Sequence, residues 1–214
     1  MPSLITVAVV AALAVGAPSS TLATATATAT APPDSSTSPG AEPCSPSDSS
    51  GTSASTAVAE LPVWQTLEIV DVDGQAFTLA DCIGTPVLVE TFATWCSNCR
   101  QQLPKTQEAA VALGDGAAVV ALSVETDLSP DAVAEYAVDN EFPDIRFAVM
   151  SPELLAAFVE AFGTTAANPP STPKIIIDAT GVAGEMTTGQ ESTEQLVEQL
   201  TAASAPSATA TTEG

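Results

Sequence analysis

Apolar runs and amphipathic stretches alternate between residues 61 and 202, and the alternation reads as strand and helix in turn. Leu67-Glu68-Ile69-Val70 and Phe77-Thr78-Leu79 flank Asp73-Gly74, which predicts a β-hairpin at the start of the unit. Pro86 to Phe92 is a short, mostly apolar run, the pattern of a strand buried on both faces. Residues 97 to 113 read as a helix, interrupted by Pro104 and stopped at Gly114. Ala117 to Val124 reads as a second buried strand. Ser129-Pro130-Asp131 opens a helix, with Ser as cap and Pro in the first position, that runs to about Asn140. Arg146 to Val149 reads as a short strand, and Ser151-Pro152-Glu153 starts a helix to about Phe162. Lys174 to Asp178 reads as a strand, Ala179-Thr180-Gly181 as a turn and Val182 to Met186 as its hairpin partner. Ser192 caps a last helix with Leu196, Val197 and Leu200 on one face. These elements predict one α/β domain, a central mixed β-sheet flanked by helices, in a unit long enough for one core.

Outside that unit the pattern changes. Residues 4 to 15, LITVAVVAALAV, are apolar and too few for a confident membrane span, so residues 1–17 read as a signal peptide or N-terminal anchor. No Lys or Arg precedes the run, so the usual basic start is missing; export is still favoured, because no domain pattern surrounds it. Of the 43 residues from 18 to 60, 34 are Ser, Thr, Ala or Pro and none is aromatic. Such a segment cannot bury enough apolar surface to offset its ordering entropy, so 18–60 is expected to be a disordered tether. As a flexible coil it would span about 35–40 Å root-mean-square. Residues 203–214 have the same composition and are expected to form a disordered tail.

Composition narrows the chemistry. Four basic and 26 acidic side chains give a net charge of −22, which disfavours nucleic acid and an anionic membrane face as partners, so no nucleic acid is expected. There is no histidine, which excludes Ser-His-Asp and Cys-His hydrolysis, His-containing zinc or copper sites and CxxCH haem attachment. What remains is carboxylate, hydroxyl, amine and thiol.

The thiols stand where a strand runs into a helix, in Phe92-Ala93-Thr94-Trp95-Cys96-Ser97-Asn98-Cys99-Arg100. CxxC spacing across a first helical turn brings Cys96 and Cys99 within disulfide reach. The first sulfur then lies near unpaired backbone N–H groups and the positive end of the helix dipole, which favours the attacking thiolate. The competing reading is half of a zinc ribbon, which needs a second ligand pair, and Cys44 and Cys82 stand alone. Parity admits a Cys44–Cys82 bridge, but Cys82 reads more simply as a small buried hydrophobe and Cys44 as part of the tether. No metal and no cofactor are expected.

This segment resembles thioredoxin, and Phe77 to Cys96 is similar to the exported TlpA/ResA branch of thiol–disulfide oxidoreductases. The resemblance spans nearly all of 61–202 and implies a thioredoxin-like fold with a redox-active disulfide, Cys96–Cys99. Pro104 falls where thioredoxins kink the active-site helix, and Gly189 matches the Gly that ends the hairpin. Glu90, six residues before Cys96, falls at thioredoxin's buried acid. A carboxyl with a raised proton affinity there could take the proton from Cys99; the alternative is a sheet-end carboxylate facing water. Thr172-Pro173 falls at the family's cis-proline, which implies a Thr172 backbone presented to an extended client; the alternative is a plain turn. Trp95 is expected to wall the client groove, and Lys174 and Arg100 either neutralise local acid or are solvated.

The expected protein is therefore a monomeric, extracytoplasmic thiol–disulfide oxidoreductase. It would act on client proteins with Cys pairs, would draw on a membrane or exported thiol electron donor, and would work as a reductant rather than a strong oxidant. Ser97-Asn98 replaces both the Gly-Pro of thioredoxin and the Pro-His of strong oxidants. Two rivals remain: a thiol peroxidase on the same fold, although no Pro-x-x-x-Thr-x-x-Cys occurs, and a redox-inert metal- or partner-binding module.

Overall fold

The computed structural model describes Cys44 and residues 61–205. The signal or anchor segment 1–17, the tether 18–60 apart from Cys44, and the tail from residue 206 lie outside the described residues. The elements run α1 (Val63–Thr66), β1 (Ile69–Val70), β2 (Ala76–Phe77), β3 (Val87–Phe92), α2 (Ser97–Leu113), β4 (Ala118–Ser123), α3 (Pro130–Asp139), β5 (Arg146–Val149), α4 (Pro152–Phe162), β6 (Lys174–Ile177) and α5 (Thr193–Ala203).

The main sheet has the order β5-β4-β3-β6. β3 pairs in parallel with β4, and β4 with β5, while β6 runs antiparallel to β3. β3 and β4 are buried at every position, which is why they read as unbroken apolar runs. Val87, Val89, Val120 and Leu122 face α1 and α4 through Trp64, Leu154 and Phe158. Leu88, Phe92, Val119 and Phe147 face α2, α3 and α5 through Leu103, Val133, Leu196 and Leu200. Both cores therefore grip β3, the strand that carries Glu90 and delivers the cysteines. The mixed sheet between helical layers is the expected architecture.

The N-terminal hairpin is also present: β1 and β2 pair antiparallel, and Gly74 takes φ +81° in the turn. It is fastened to the sheet edge by the Val72 amide donating to the Phe147 carbonyl at 2.9 Å. Arg146 locks the same corner, donating to Asp71 Oδ2 at 2.6 Å and lying 3.7 Å over the Phe77 ring.

Three expectations are corrected. Pro104 does not interrupt α2, which is continuous from Ser97 to Leu113. Residues 182–186 do not form a strand: single bridges join Lys174 to Thr187 and Ile177 to Ala183, and the Gly184 amide turns in to the Ile176 carbonyl at 2.8 Å between them. The missing side chain and free backbone of Gly184 explain the broken ladder. Residue 203, expected at the start of the tail, belongs to α5.

Candidate redox site

β3 ends at Phe92, and a tight turn, closed by the Cys96 amide donating to the Ala93 carbonyl at 3.0 Å, leads into α2. Glu125 pins this turn, its Oε2 accepting from the Thr94 amide at 2.6 Å and the Thr94 hydroxyl at 2.9 Å. Cys96 is the N-cap of α2, and its sulfur accepts the Cys99 amide at 3.0 Å. Cys96 and Cys99 form a disulfide with Cα atoms 5.3 Å apart. The first turn of α2 holds no acidic side chain, so nothing there opposes the helix's positive end. A thiolate released at Cys96 would meet an oriented N–H and a favourable dipole. Trp95 is 59% exposed beside a disulfide whose two residues are buried.

Pro169 and Pro170 lie against the CxxC turn. The Pro169 carbonyl is 3.4 Å from Cys99 Sγ, and Asn98 Nδ2 donates to the Pro170 carbonyl at 2.7 Å. Thr172 and Pro173 are buried, and no cis peptide occurs among the described residues. The chain reverses instead through Thr172 in the left-handed region at φ +47°, after a 3₁₀ turn over 169–171. The Thr172 amide donates to the Pro169 carbonyl at 2.7 Å, and its carbonyl accepts from Lys174 Nζ at 2.9 Å. The Thr172 backbone is thus engaged internally rather than presented at a free edge. Gly189 follows the bridged segment at φ +88°, and its carbonyl accepts the Thr172 hydroxyl.

Glu90 is fully buried, on the face of β3 that looks toward α2. It is not a sheet-end carboxylate in water. Its Oε2 accepts from the Thr106 hydroxyl at 2.8 Å, and its Oε1 has no hydrogen-bond partner. Burial pushes its carboxyl up from the ordinary 4.5 to about 7, opposed by the Thr106 hydrogen bond and the Lys174 charge and reinforced by Glu191. A carboxyl in that range gains and loses a proton near neutral pH.

Lys174 is not solvated; it neutralises a local acid, and that acid is Glu191 rather than Glu90. Lys174 is 1% exposed, and its ammonium donates to the carbonyls of Thr172 and Gly189 and reaches Glu191 Oε2 at 3.2 Å. Arg100, by contrast, is exposed. Thr106, Gln102 and Glu191 were not singled out by sequence. A signal was available: Cys99, Gln102, Leu103 and Thr106 share one helical face, and two polar residues on a buried stripe need partners inside.

The remaining cysteines correct another expectation. Cys44 and Cys82 are joined in a disulfide, with Cα atoms 4.0 Å apart and both residues buried. Cys82 is therefore not a lone hydrophobe, and Cys44 is not free in a tether; the Cys44 carbonyl also accepts from Arg146 Nη1 at 3.2 Å. Cys82 precedes β3 while the CxxC follows it, so the two disulfides occupy opposite ends of one strand. That separation removes the second ligand pair a zinc ribbon would need beside Cys96 and Cys99.

A family model described as Redoxin matches residues 46–203. A stretch of 60 residues is 35% identical to the thioredoxin of Mycolicibacterium smegmatis, covering 27% of this chain and 54% of that protein, so the match spans about half of the curated relative. The structure is similar to a thiol:disulfide interchange protein of Chlorobium tepidum, with TM-score 0.56 and 23% identity over 65% of this chain and 93% of that one. It is similar also to an exposed lipoprotein thioredoxin of Streptococcus pneumoniae, with TM-score 0.53 and 22% identity over 64% of this chain and 98% of that one. At these identities the structural likeness speaks for the thioredoxin-like fold.

Proposed function

The chain belongs to the Redoxin family, and from that premise we propose that it is an extracytoplasmic thiol–disulfide oxidoreductase of the TlpA/ResA kind. It exchanges the Cys96–Cys99 pair with client proteins and works as a reductant rather than a strong oxidant. The observation that carries this reading is the placement of one disulfide at the N-cap of α2, on the β3 face that buries a carboxyl titrating near neutral pH.

In the reductive direction the Cys96 thiolate attacks one sulfur of a client disulfide. A Cys96–client bond forms as the client's own S–S bond breaks, and the second client sulfur leaves with the electron pair and takes a proton from water. Ionised Glu90 takes the proton of the Cys99 thiol. The Cys99 sulfur then attacks Cys96, the Cys96–Cys99 bond forms, and the first client sulfur leaves and is protonated. The client gains two electrons and two protons, and the protein is left oxidised, to be reset by a membrane or exported thiol donor. Trp95, exposed beside the disulfide, offers apolar surface to the client. The Ser97-Asn98 pair supplies no imidazole to hold the reduced form, which favours a moderate potential.

The Cys44–Cys82 disulfide supports the compartment. A buried disulfide outside the CxxC persists where thiols are not kept reduced, outside the cytoplasm in most organisms.

Two variants test the reading. Cys96→Ser is expected to abolish reduction of insulin disulfides, and Cys99→Ser to accumulate mixed disulfides with clients that dithiothreitol releases. Wild-type insulin reduction in both variants, or peroxide consumption that outruns disulfide exchange, would overturn it.

A further inference from the structure

We propose that Glu191 is a positioning residue for this reaction: by holding the Lys174 ammonium it keeps that charge off Glu90, so that Glu90 stays free to take up and return a proton. This rests on the thiol–disulfide reading and goes beyond it, because Glu191 touches neither cysteine.

The β3–β6 register sets the problem. Glu90 and Lys174 are directly opposed across the antiparallel pair, so their side chains leave the same face of the sheet. Opposite charges so placed inside a protein are expected to pair, because attraction grows as the effective dielectric falls. They do not pair here. The three donors of the Lys174 ammonium are met by the Thr172 carbonyl at 2.9 Å, the Gly189 carbonyl at 2.7 Å and Glu191 Oε2 at 3.2 Å. Glu90 is left with an unpartnered Oε1 in a buried setting. One ammonium thus has two carboxylates within its surroundings and is turned to the outer one.

Glu191 is built to hold it. The Glu191 amide donates to Gln102 Oε1 at 2.8 Å, and its Oε1 accepts from Gln199 Nε2 at 2.9 Å. Gln102 Nε2 in turn donates to the Thr106 hydroxyl at 3.4 Å, and Thr106 donates to Glu90. The same short chain therefore ties the ammonium's counter-ion to the hydrogen bond on Glu90. A carboxylate fixed to a buried ammonium would be ionised over more of the neutral range and would return a proton less readily. One held beside an ammonium already neutralised by a second carboxylate returns it more readily.

The other groups around Glu90 do not replace Lys174. From α2 comes the Thr106 hydroxyl, while Arg100 is exposed and Lys105 on the same helix donates to Gln190 at 3.1 Å. From α3 comes Tyr136, whose hydroxyl is buried without a partner and whose titration burial pushes up. Lys174 and Glu191 are the charges that act on Glu90, with opposite signs.

The test is the titration of the Glu90 carboxyl carbon by 13C NMR in the full chain, set beside the pH profile of mixed-disulfide resolution by Cys99. Removing Glu191 as Glu191→Gln is expected to move the Glu90 titration acid-ward by about one pH unit, because the Glu191 charge that raises it is lost and Lys174 turns to the open Oε1. The acid limb of the resolution profile should move with it. Lys174→Met should move both alkaline-ward, and the double variant should return to within about half a unit of wild type. Glu191 is partly exposed, so the single variant decides even if Lys174→Met does not fold. A Glu90 titration unmoved in folded Glu191→Gln overturns the proposal, as does a moved titration with an unmoved profile. A wild type that exchanges no disulfide overturns the functional reading instead, while the carboxyl titration still judges the Lys174 arrangement.

Discussion

Glu90 ionises inside a strand buried on both faces, and the free energy of that act is a stability term with a definite sign. Its carboxyl titrates at about 7 in the folded chain against 4.5 for the ordinary group. Below about pH 4.5 it is neutral folded and unfolded, and it contributes no pH dependence. As pH rises from there the unfolded chain ionises first, so stability falls until the folded group ionises as well, near 7. The loss is about 3 kcal/mol over that window. Glu90→Gln should therefore match wild type at pH 4 and exceed its stability by up to about 3 kcal/mol at pH 8, read from urea melts at both pH values. Equal melts at pH 8 would mean that the carboxyl is hydrated. Glu90 itself was readable from sequence, because a lone acid in an apolar strand must have a job or a partner. The destination of Lys174 was not. Its partners Gly189 and Glu191 lie well along the chain, and only the closed loop brings them to its ammonium.

Helix starts decide where this chain's chemistry sits. Four of the five α-helices among the described residues begin at a side chain that accepts an amide of the first turn: Cys96, Ser129, Ser151 and Ser192. The serine caps were readable because Ser-Pro and Ser-x-x-Gln are local signals. The stretch from Gly163 to Thr172 was not, since two 3₁₀ turns leave no period to find. The α5 start matters most, because its capping box, Ser192 with Gln195, follows directly on Glu191. Ser192→Ala should cost about 1 kcal/mol in a denaturant melt. It should also loosen Glu191, so the Glu90 titration should broaden or shift while the insulin-reducing cysteines remain intact. A melt unchanged within error would show that α5 is held by Leu196 and Leu200 in the core and not by its cap.

Across the whole molecule, β3 keeps two disulfides of different character apart. The Cys96–Cys99 pair opens and closes three residues of one helix turn, whereas Cys44–Cys82 spans a sequence separation of 38. Only parity hinted at the second pair, because one partner sits in a Ser/Thr/Ala/Pro-rich segment whose composition carries no geometry. Its buried corner explains why it forms: the Cys44 carbonyl is held by Arg146, which also pairs with Asp71 and covers Phe77. By the loop-closure relation, joining residues that far apart stabilises the fold by about 4 kcal/mol. The double variant Cys44→Ser, Cys82→Ser should then unfold at lower urea by that order, yet reduce insulin within about two-fold of wild type, because the strand's far end holds the chemistry. Mild dithiothreitol should likewise open the CxxC first, with alkylation and mass spectrometry marking Cys96 and Cys99 before Cys44 and Cys82. Simultaneous labelling of all four, or loss of insulin reduction in a folded double variant, would mean that the two bonds exchange electrons and that the clip belongs to the redox cycle.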